Sequence, residues 1–281
     1  GLCPEPRLYG DRATGMKGLA GKVALCTGSG RPGGLGHGIL ARLGEAGCRL
    51  VVTDLASVLA PDDGAANAVV ADLQAKGYPV LSVPCDISSE DSVVAAVGTV
   101  MAEWGRLDIV INNAAIGDVI CPLPELDFAD WQRVIAVNLS GAFLMTREAG
   151  RVMSEGGSVI NIASQAAKTG FRQMAPYVAS KHGMIGLTRT SAIDLAPLGI
   201  RVNAVCPNHV TTAMGKAQSE YFSALRGLSA EDYRAGIAER VPLGRVGQPG
   251  DTAAAVAFLA SDEATFITGE ALNVSGGEEM H

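Results

Sequence analysis

Short runs of aliphatic and β-branched residues alternate along this chain with longer stretches in which apolar positions return every three or four residues. The first kind of pattern predicts strands over Lys22–Thr27, Arg49–Asp54, Val80–Pro84, Asp108–Asn112, Ser158–Ala163, Ile200–Val205 and Ala271–Val274. The second predicts helices over Leu35–Ala46, Ala65–Lys76, Glu90–Trp104, Phe128–Arg151, Tyr177–Ala196 and Asp251–Ala260. Strand–helix alternation of this kind gives an α/β class domain with a doubly wound parallel sheet, helices on both faces, and a ligand at the carboxyl ends of the strands. No repeat, low-complexity tract or linker-like shift divides the chain, so one domain is expected over residues 19–281, behind a polar arm over 1–18. Residues 207–250 carry no clear periodicity. A structureless stretch of that length in a compact domain is usually a lid, so a lid loop is expected before the last helix and strand.

Composition narrows the partners. The net charge of −7 and the absence of a basic cluster argue against a nucleic-acid surface. The apolar runs are too short to span a membrane, and the N-terminal GLCPEPRLYGDRATGMKG lacks the apolar core of a secretory signal. Six cysteines (Cys3, Cys26, Cys48, Cys85, Cys121, Cys206) form no Cys-x-x-Cys pair and read as reduced, mostly buried thiols of a cytoplasmic protein. Four histidines (His37, His182, His209, His281) show no metal-ligand spacing, so no metal is expected.

Candidate chemistry gathers at two places. Tyr177 and Lys181 stand one helical turn apart, so an ammonium can sit beside a phenol. A fixed positive charge favours the phenolate and brings a group of pKa about 10 towards the range of general acid–base catalysis. The bland reading is a pair of solvated helix neighbours. The second place is Cys26-Thr27-Gly28-Ser29-Gly30-Arg31-Pro32-Gly33-Gly34-Leu35-Gly36, between the first strand and the first helix. Glycines there let the backbone approach a pyrophosphate at a helix start. Asp54, closing the second strand, suits the hydroxyls of an adenosine ribose and repels a 2′-phosphate, so NAD is favoured over NADP. Arg31 could pair with that phosphate, and NADP stays open as the alternative.

With these motifs the chain resembles the short-chain dehydrogenase/reductase family from about Leu19 to Gly277. Further matches are Cys85-Asp86, Asn112-Asn113-Ala114-Ala115, Val137-Asn138-Leu139, Ile162-Ala163-Ser164, Arg201 to Pro207, and Ile267-Thr268-Gly269-Glu270. The resemblance implies a Rossmann fold with seven strands and a catalytic set of Asn138, Ser164, Tyr177 and Lys181. Tyr177 would be the acid/base. Lys181 would lower its pKa and bind the nicotinamide ribose, Ser164 would hold the reacting oxygen, and Asn138 would hold a relay water. At the cofactor it implies Gly28, Ser29, Arg31, Gly34, Leu35, Gly36, Asp54, Cys85, Asp86, Asn112, Ala114, Tyr177, Lys181, Pro207, Val210 and Thr212. It also implies a homotetramer or homodimer. Two departures stand out: five residues separate Gly28 from Gly34 where the family has three, and Asn208 replaces a glycine. The lengthened turn is expected to bulge, and Asn208 to adopt a left-handed backbone or to point into the substrate pocket.

For the substrate, the candidates are Ser164, Gln165, Gln173, Asn208 and His209, joined by Ile116, Asp118, Ala166, Phe171, Met174, Met214, Tyr221 and Phe222. Amides, a histidine and aromatics suit a secondary alcohol or ketone with further polar groups, such as a sugar, polyol or hydroxylated ring. A 3-oxoacyl-thioester reductase using NADP(H) is the alternative, and would want a more basic entrance than Lys216 and Arg226 provide. A non-catalytic NAD-binding protein on the same fold is the reading from another class, disfavoured because Ser164, Tyr177 and Lys181 are all present.

Overall fold

The computed structural model describes residues 16–60 and 67–280. Residues 1–15 of the expected arm, with Cys3, the start of the helix expected from Ala65, and His281 lie outside the described residues. Seven parallel strands, β1 (Val23–Cys26), β2 (Arg49–Asp54), β3 (Val80–Pro84), β4 (Ile109–Asn112), β5 (Ser158–Ile162), β6 (Arg201–Pro207) and β7 (Ala271–Val274), form one sheet in the order 3-2-1-4-5-6-7. The order reverses between β1 and β4, and that switch opens a crevice at the carboxyl edge of the sheet.

Why these runs become buried strands is visible within β1. Ala24 and Cys26 join the apolar layer under helices α1 (Leu35–Glu45) and α10 (Pro249–Ala260), which also takes Leu40, Leu43 and Val256. Val23 and Leu25 join the opposite layer with Val93 and Val97 of α4 (Glu90–Trp104) and Met145 of α6 (Gly141–Val152). Alternate side chains thus enter alternate cores, and a strand covered on both faces must be apolar throughout.

Further helices are α2 (Ala56–Leu59), α3 (Ala68–Ala75), α5 (Phe128–Ile135) and α7 (Ala175–Leu195). The helix expected over Phe128–Arg151 is continuous but carries a π turn at Ala136–Ser140 between α5 and α6. Where a lid loop is expected, the chain forms two helices, α8 (Ala213–Leu225) and α9 (Ala230–Arg240). Their stripes are too thin to show a period: α8 buries only Ser219 and Ser223, and α9 only Tyr233 and Ile237. Each is started instead by a cap, Thr212 accepting from Gly215 N–H and Ser229 from Asp232 N–H. Of the two alternatives for Asn208, the left-handed backbone is not taken; among the described non-glycine residues only Gln173 has one, at φ +65°. Gly183 lets α7 pack closely on the π turn, where an added Cβ would meet Leu139 at 2.7 Å.

Among the described residues no helix is long and apolar enough to cross a membrane. Cys26, Cys48, Cys85 and Cys206 are buried free thiols and Cys121 is half-buried. Burial pushes Cys48 up to about 12 and Cys85 to about 11, which keeps both as unreactive thiols at neutral pH.

Candidate active site

The crevice at the switch point is a cleft of about 1640 Å³ that runs from Asp54 past Tyr177 to α8 and α9. Its first wall is the glycine loop. Gly28 is left-handed at φ +61° and so close to the β4 end that an added Cβ would lie 2.7 Å from Ala114 Cα. Gly36 is equally confined, against Ser29 and Asn113. Thr27 Oγ1 accepts the N–H groups of Asn113 and Ala114, both at 3.0 Å, and Asn113 Nδ2 donates to the carbonyls of Thr27 and Gly28 at 2.8 and 3.0 Å. No side chain caps α1, so the first-turn amides stay available to an anion.

Asp54 is buried, and its carboxylate accepts from Gly30 N–H at 3.0 Å and Leu55 N–H at 2.9 Å. It therefore holds the loop as well as bordering the cleft. Arg31 is exposed beside it at the cleft wall, without a carboxylate partner among the described residues. An uncapped helix start, a close backbone approach at Gly28 and a carboxylate at the end of β2 form a donor and acceptor set that fits a nicotinamide dinucleotide.

Of the residues expected at the cofactor, Gly28, Arg31, Gly34, Leu35, Asp54, Cys85, Asp86, Ala114, Pro207, Val210 and Thr212 border this cleft. Ser29, Gly36 and Asn112 do not. The Ser29 hydroxyl donates to Cys26 O at 2.7 Å, inside the β1–β2 turn. Asn112 Nδ2 donates to Thr146 Oγ1 and Asn161 Oδ1, on the buried side of the sheet. Its neighbour Asn113, quoted in the motif but given no role, borders the cleft and carries the loop contacts. Strand alternation was the available signal: consecutive asparagines at a strand end face opposite ways.

At the centre, the β5 end and α7 bring Ser164, Tyr177 and Lys181 together on the cleft wall. Burial pushes the Tyr177 phenol above its usual value, and a hydrogen bond shared with Ser164 pulls it back. Lys181 is 2% exposed, its ammonium 5.6 Å from the Tyr177 ring centre and donating to Ile162 O at 2.7 Å. Burial lowers it to about 8, with a small opposing effect from Cys206.

Asn138 does not reach the cleft lining. It sits fully buried in the π turn, where Nδ2 donates to Ile116 O at 2.9 Å and Ser180 Oγ at 3.2 Å, while Oδ1 accepts Ile116 N–H at 2.8 Å. Both amide hydrogens are engaged by protein groups. Ser180 Oγ in turn donates to Tyr177 O at 2.7 Å, so Asn138 acts on the helix that carries Tyr177.

The substrate side collects Gln165, Gln173, Asn208 and His209 with Ile116, Asp118, Ala166, Phe171, Met174, Met214, Tyr221 and Phe222. Tyr221 OH donates to Gln173 Oε1 at 3.4 Å. Asn208 donates to Glu278, and Gln165 to Glu279 at 3.4 Å, so the C-terminal segment backs this wall. Burial holds His209 below its usual value, with Glu278 pulling upward and Arg240 downward. Sequence reasoning gave no role to Arg172, Arg234 and Arg240, which also border the cleft.

Three comparisons bear on this arrangement. Residues 28–279 match the family model described as enoyl-(acyl carrier protein) reductase. The chain is 38% identical over 261 residues to the cis-4-hydroxycyclohexanecarboxylate dehydrogenase of Sinomonas cyclohexanicum, covering 92% of this chain and 97% of that one. Among solved structures it is similar to a variant of actinorhodin polyketide ketoreductase with NADPH (TM-score 0.84, 34% identity, 95% of this chain and 100% of that one). It is also similar to an NAD+-bound xylitol dehydrogenase (TM-score 0.84, 31% identity, 93% and 100%).

Proposed function

The chain belongs to the short-chain dehydrogenase/reductase family, and on that premise we propose that it exchanges hydride between NAD and a modest-sized secondary alcohol or ketone of the sugar, polyol or hydroxylated-ring kind. Its reaction class is NAD(P)-dependent alcohol dehydrogenase or ketoreductase. The observation that carries the finer reading is the polarity of the cleft on either side of Tyr177: a buried carboxylate, Asp54, at one end, and Gln165, Gln173, Asn208 and His209 at the other.

The residues that would hold the dinucleotide are the first-turn amides of α1, Asp54, Asp86, Lys181 and the β6 end from Pro207 to Thr212. The nicotinamide, when bound, supplies the hydride acceptor or donor. Everything else falls to the chain. Ser164 holds the reacting oxygen and stabilises charge developing on it. Tyr177 takes the hydroxyl proton in oxidation and returns it in reduction. Lys181, as a cation, favours the phenolate. Asn138 keeps α7 and the chain after β4 in register through Ser180 and Ile116. With both side-chain N–H groups engaged, a relay water at Asn138 would be held by an oxygen of that residue.

A 3-oxoacyl-thioester reductase using NADP(H) is the second reading. Arg31 at the adenosine end, and Arg172 and Arg234, which add to Lys216 and Arg226 along the substrate wall, favour it. The test offers polyols and cyclic alcohols with NAD+ and a 3-oxoacyl thioester with NADPH, each with Tyr177→Phe as control. Turnover only with the thioester replaces the first reading by the second, and full activity of Tyr177→Phe sinks both mechanisms.

Assembly belongs to the same proposal. Phe143 on α6, Ile193 on α7 and Leu272 on β7 are exposed apolar residues, which suits a homotetramer or homodimer packed through these elements. Sedimentation equilibrium decides it, and a monomer would refute it. The free thiols suit a reducing compartment, the cytoplasm.

A further inference from the structure

The lengthened glycine loop is fastened at two points. At its first half, Gly30 is held from both sides: its N–H donates to Asp54 at 3.0 Å, and its carbonyl accepts from Asn67 Nδ2 at 2.9 Å. At its second half, Gly33 is left-handed at φ +69° and its N–H donates to His37 Nδ1 at 3.3 Å. His37 stands on the first turn of α1, and its Nε2 lies 2.8 Å from Asp72 Oδ2 on α3. Asp72 is itself paired with Lys76 at 2.8 Å. An imidazole nitrogen that accepts an N–H carries no proton, so the ring proton sits on Nε2 and is given to Asp72. The ring is thereby oriented from both sides, and one backbone amide of the loop is tied to a helix on the flank of the sheet.

Arg31 and Pro32, the exposed tip between the two anchors, border the cleft. The two residues that lengthen this loop relative to the family pattern would add conformational freedom, and freedom lost on binding weakens affinity. The His37 contact removes part of that freedom beforehand. It also occupies the Gly33 N–H, leaving the first-turn amides of α1 to face an anion.

We propose that His37 is a cofactor-positioning residue, which clasps the lengthened glycine loop to Asp72 of α3 and so preorganises the pyrophosphate end of the cleft. The inference rests on the reading of that cleft as a dinucleotide site. Its partners are one backbone amide and one carboxylate, so it acts through the loop and touches neither substrate nor reacting atoms.

The test is a calorimetric titration of the full chain with NAD+, NADP+ and ADP-ribose, for wild type, His37→Ala, His37→Asn and Asp72→Ala. Losing one neutral hydrogen bond that orders the loop should weaken all three ligands about threefold to tenfold in His37→Ala. In turnover the loss should fall on the cofactor KM rather than on kcat. Asparagine places an oxygen close to where Nδ1 stands, so His37→Asn should restore most of the affinity. Asp72→Ala, on the exposed side of α3, should show a smaller loss. It also serves as the deciding variant if His37→Ala does not fold. Unchanged ADP-ribose affinity in His37→Ala, or in Asp72→Ala when that variant decides, overturns the inference. A wild type that binds none of the three ligands overturns the dinucleotide reading itself, a different result.

Discussion

Asn138 and Ile116 are joined by a reciprocal pair of hydrogen bonds, side-chain N–H to carbonyl at 2.9 Å and backbone N–H to side-chain oxygen at 2.8 Å. The pair closes the chain after β4 onto the π turn, and a third bond from the same amide reaches Ser180, whose hydroxyl is bonded to the carbonyl of Tyr177. Replacing Asn138 by alanine strips partners from two half-buried backbone groups of Ile116 at once. Counting each lost bond with its unsatisfied partner, Asn138→Ala should cost roughly 2–4 kcal/mol of stability. Urea denaturation measures this, and a loss under about 0.5 kcal/mol, the scale of ordinary surface substitutions, contradicts the role.

The framework on which that clamp hangs was largely legible in the sequence. β2, β3, β7 and α4 begin and end at the residues the pattern indicates, because their apolar runs are bounded by turns and, at α4, by the Ser89 cap and left-handed Gly105. What was not legible depended on distant partners. The π turn at Asn138 has no local signature, since its stabilising contacts lie on Ile116 and Ser180. Helices α8 and α9 cover a cleft rather than a core, so they show no strong apolar stripe; Thr212 and Ser229 were their only clear markers. In the site, the motif pattern indicated most of the residues that border the cleft. Asn112 and Ser29 turn away from the cleft, to Thr146, Asn161 and Cys26, because a motif does not say which way a side chain at a strand end or in a turn points.

Ser164 and Tyr177 share a hydrogen bond that lowers the phenol's pKa against the upward push of burial. Ser164→Ala removes that help. Oxidation needs the phenolate, so the rising limb of the kcat/KM against pH profile should move to higher pH. At neutral pH kcat should fall about a hundredfold, the usual effect of deleting one donor to a developing oxyanion. A variant whose limb stays in place while only kcat falls would show that Ser164 holds substrate without acting on Tyr177.

Asp54 separates two functions that a single substitution removes together. On the proposed NAD reading its carboxylate would repel a 2′-phosphate, and it also holds Gly30 and Leu55 by their amides. Asp54→Ala should therefore lower NAD affinity through the loosened loop while narrowing the preference over NADP by about tenfold or more, the scale of one close charge interaction. Parallel Kd measurements for both dinucleotides check this. Equal use of NADP by the wild type would refute the assignment before any substitution is made.

Lys181 gives the protein a pH dependence that can be isolated. Its folded pKa of about 8 lies below the ordinary 10.5, because burial penalises the cation. Between those values the unfolded chain keeps a proton that the folded chain has released, so the unfolding free energy rises with pH across the window. Below about pH 8 both states hold the proton and the burial penalty is present in full. The relief by pH 10 should approach roughly 3 kcal/mol, an order-of-magnitude figure from the size of the shift. Tyr177 works in the opposite sense only above its ordinary value of 10, where the unfolded phenol ionises first. Lys181→Met retains every other titrating group, so subtracting its stability curve from the wild-type curve isolates this one. The difference should climb between pH 8 and 10, in denaturant titrations at half-unit steps. A flat difference would mean that the Lys181 ammonium stays charged in the folded protein throughout, held by Ile162 and by water reaching it from the cleft.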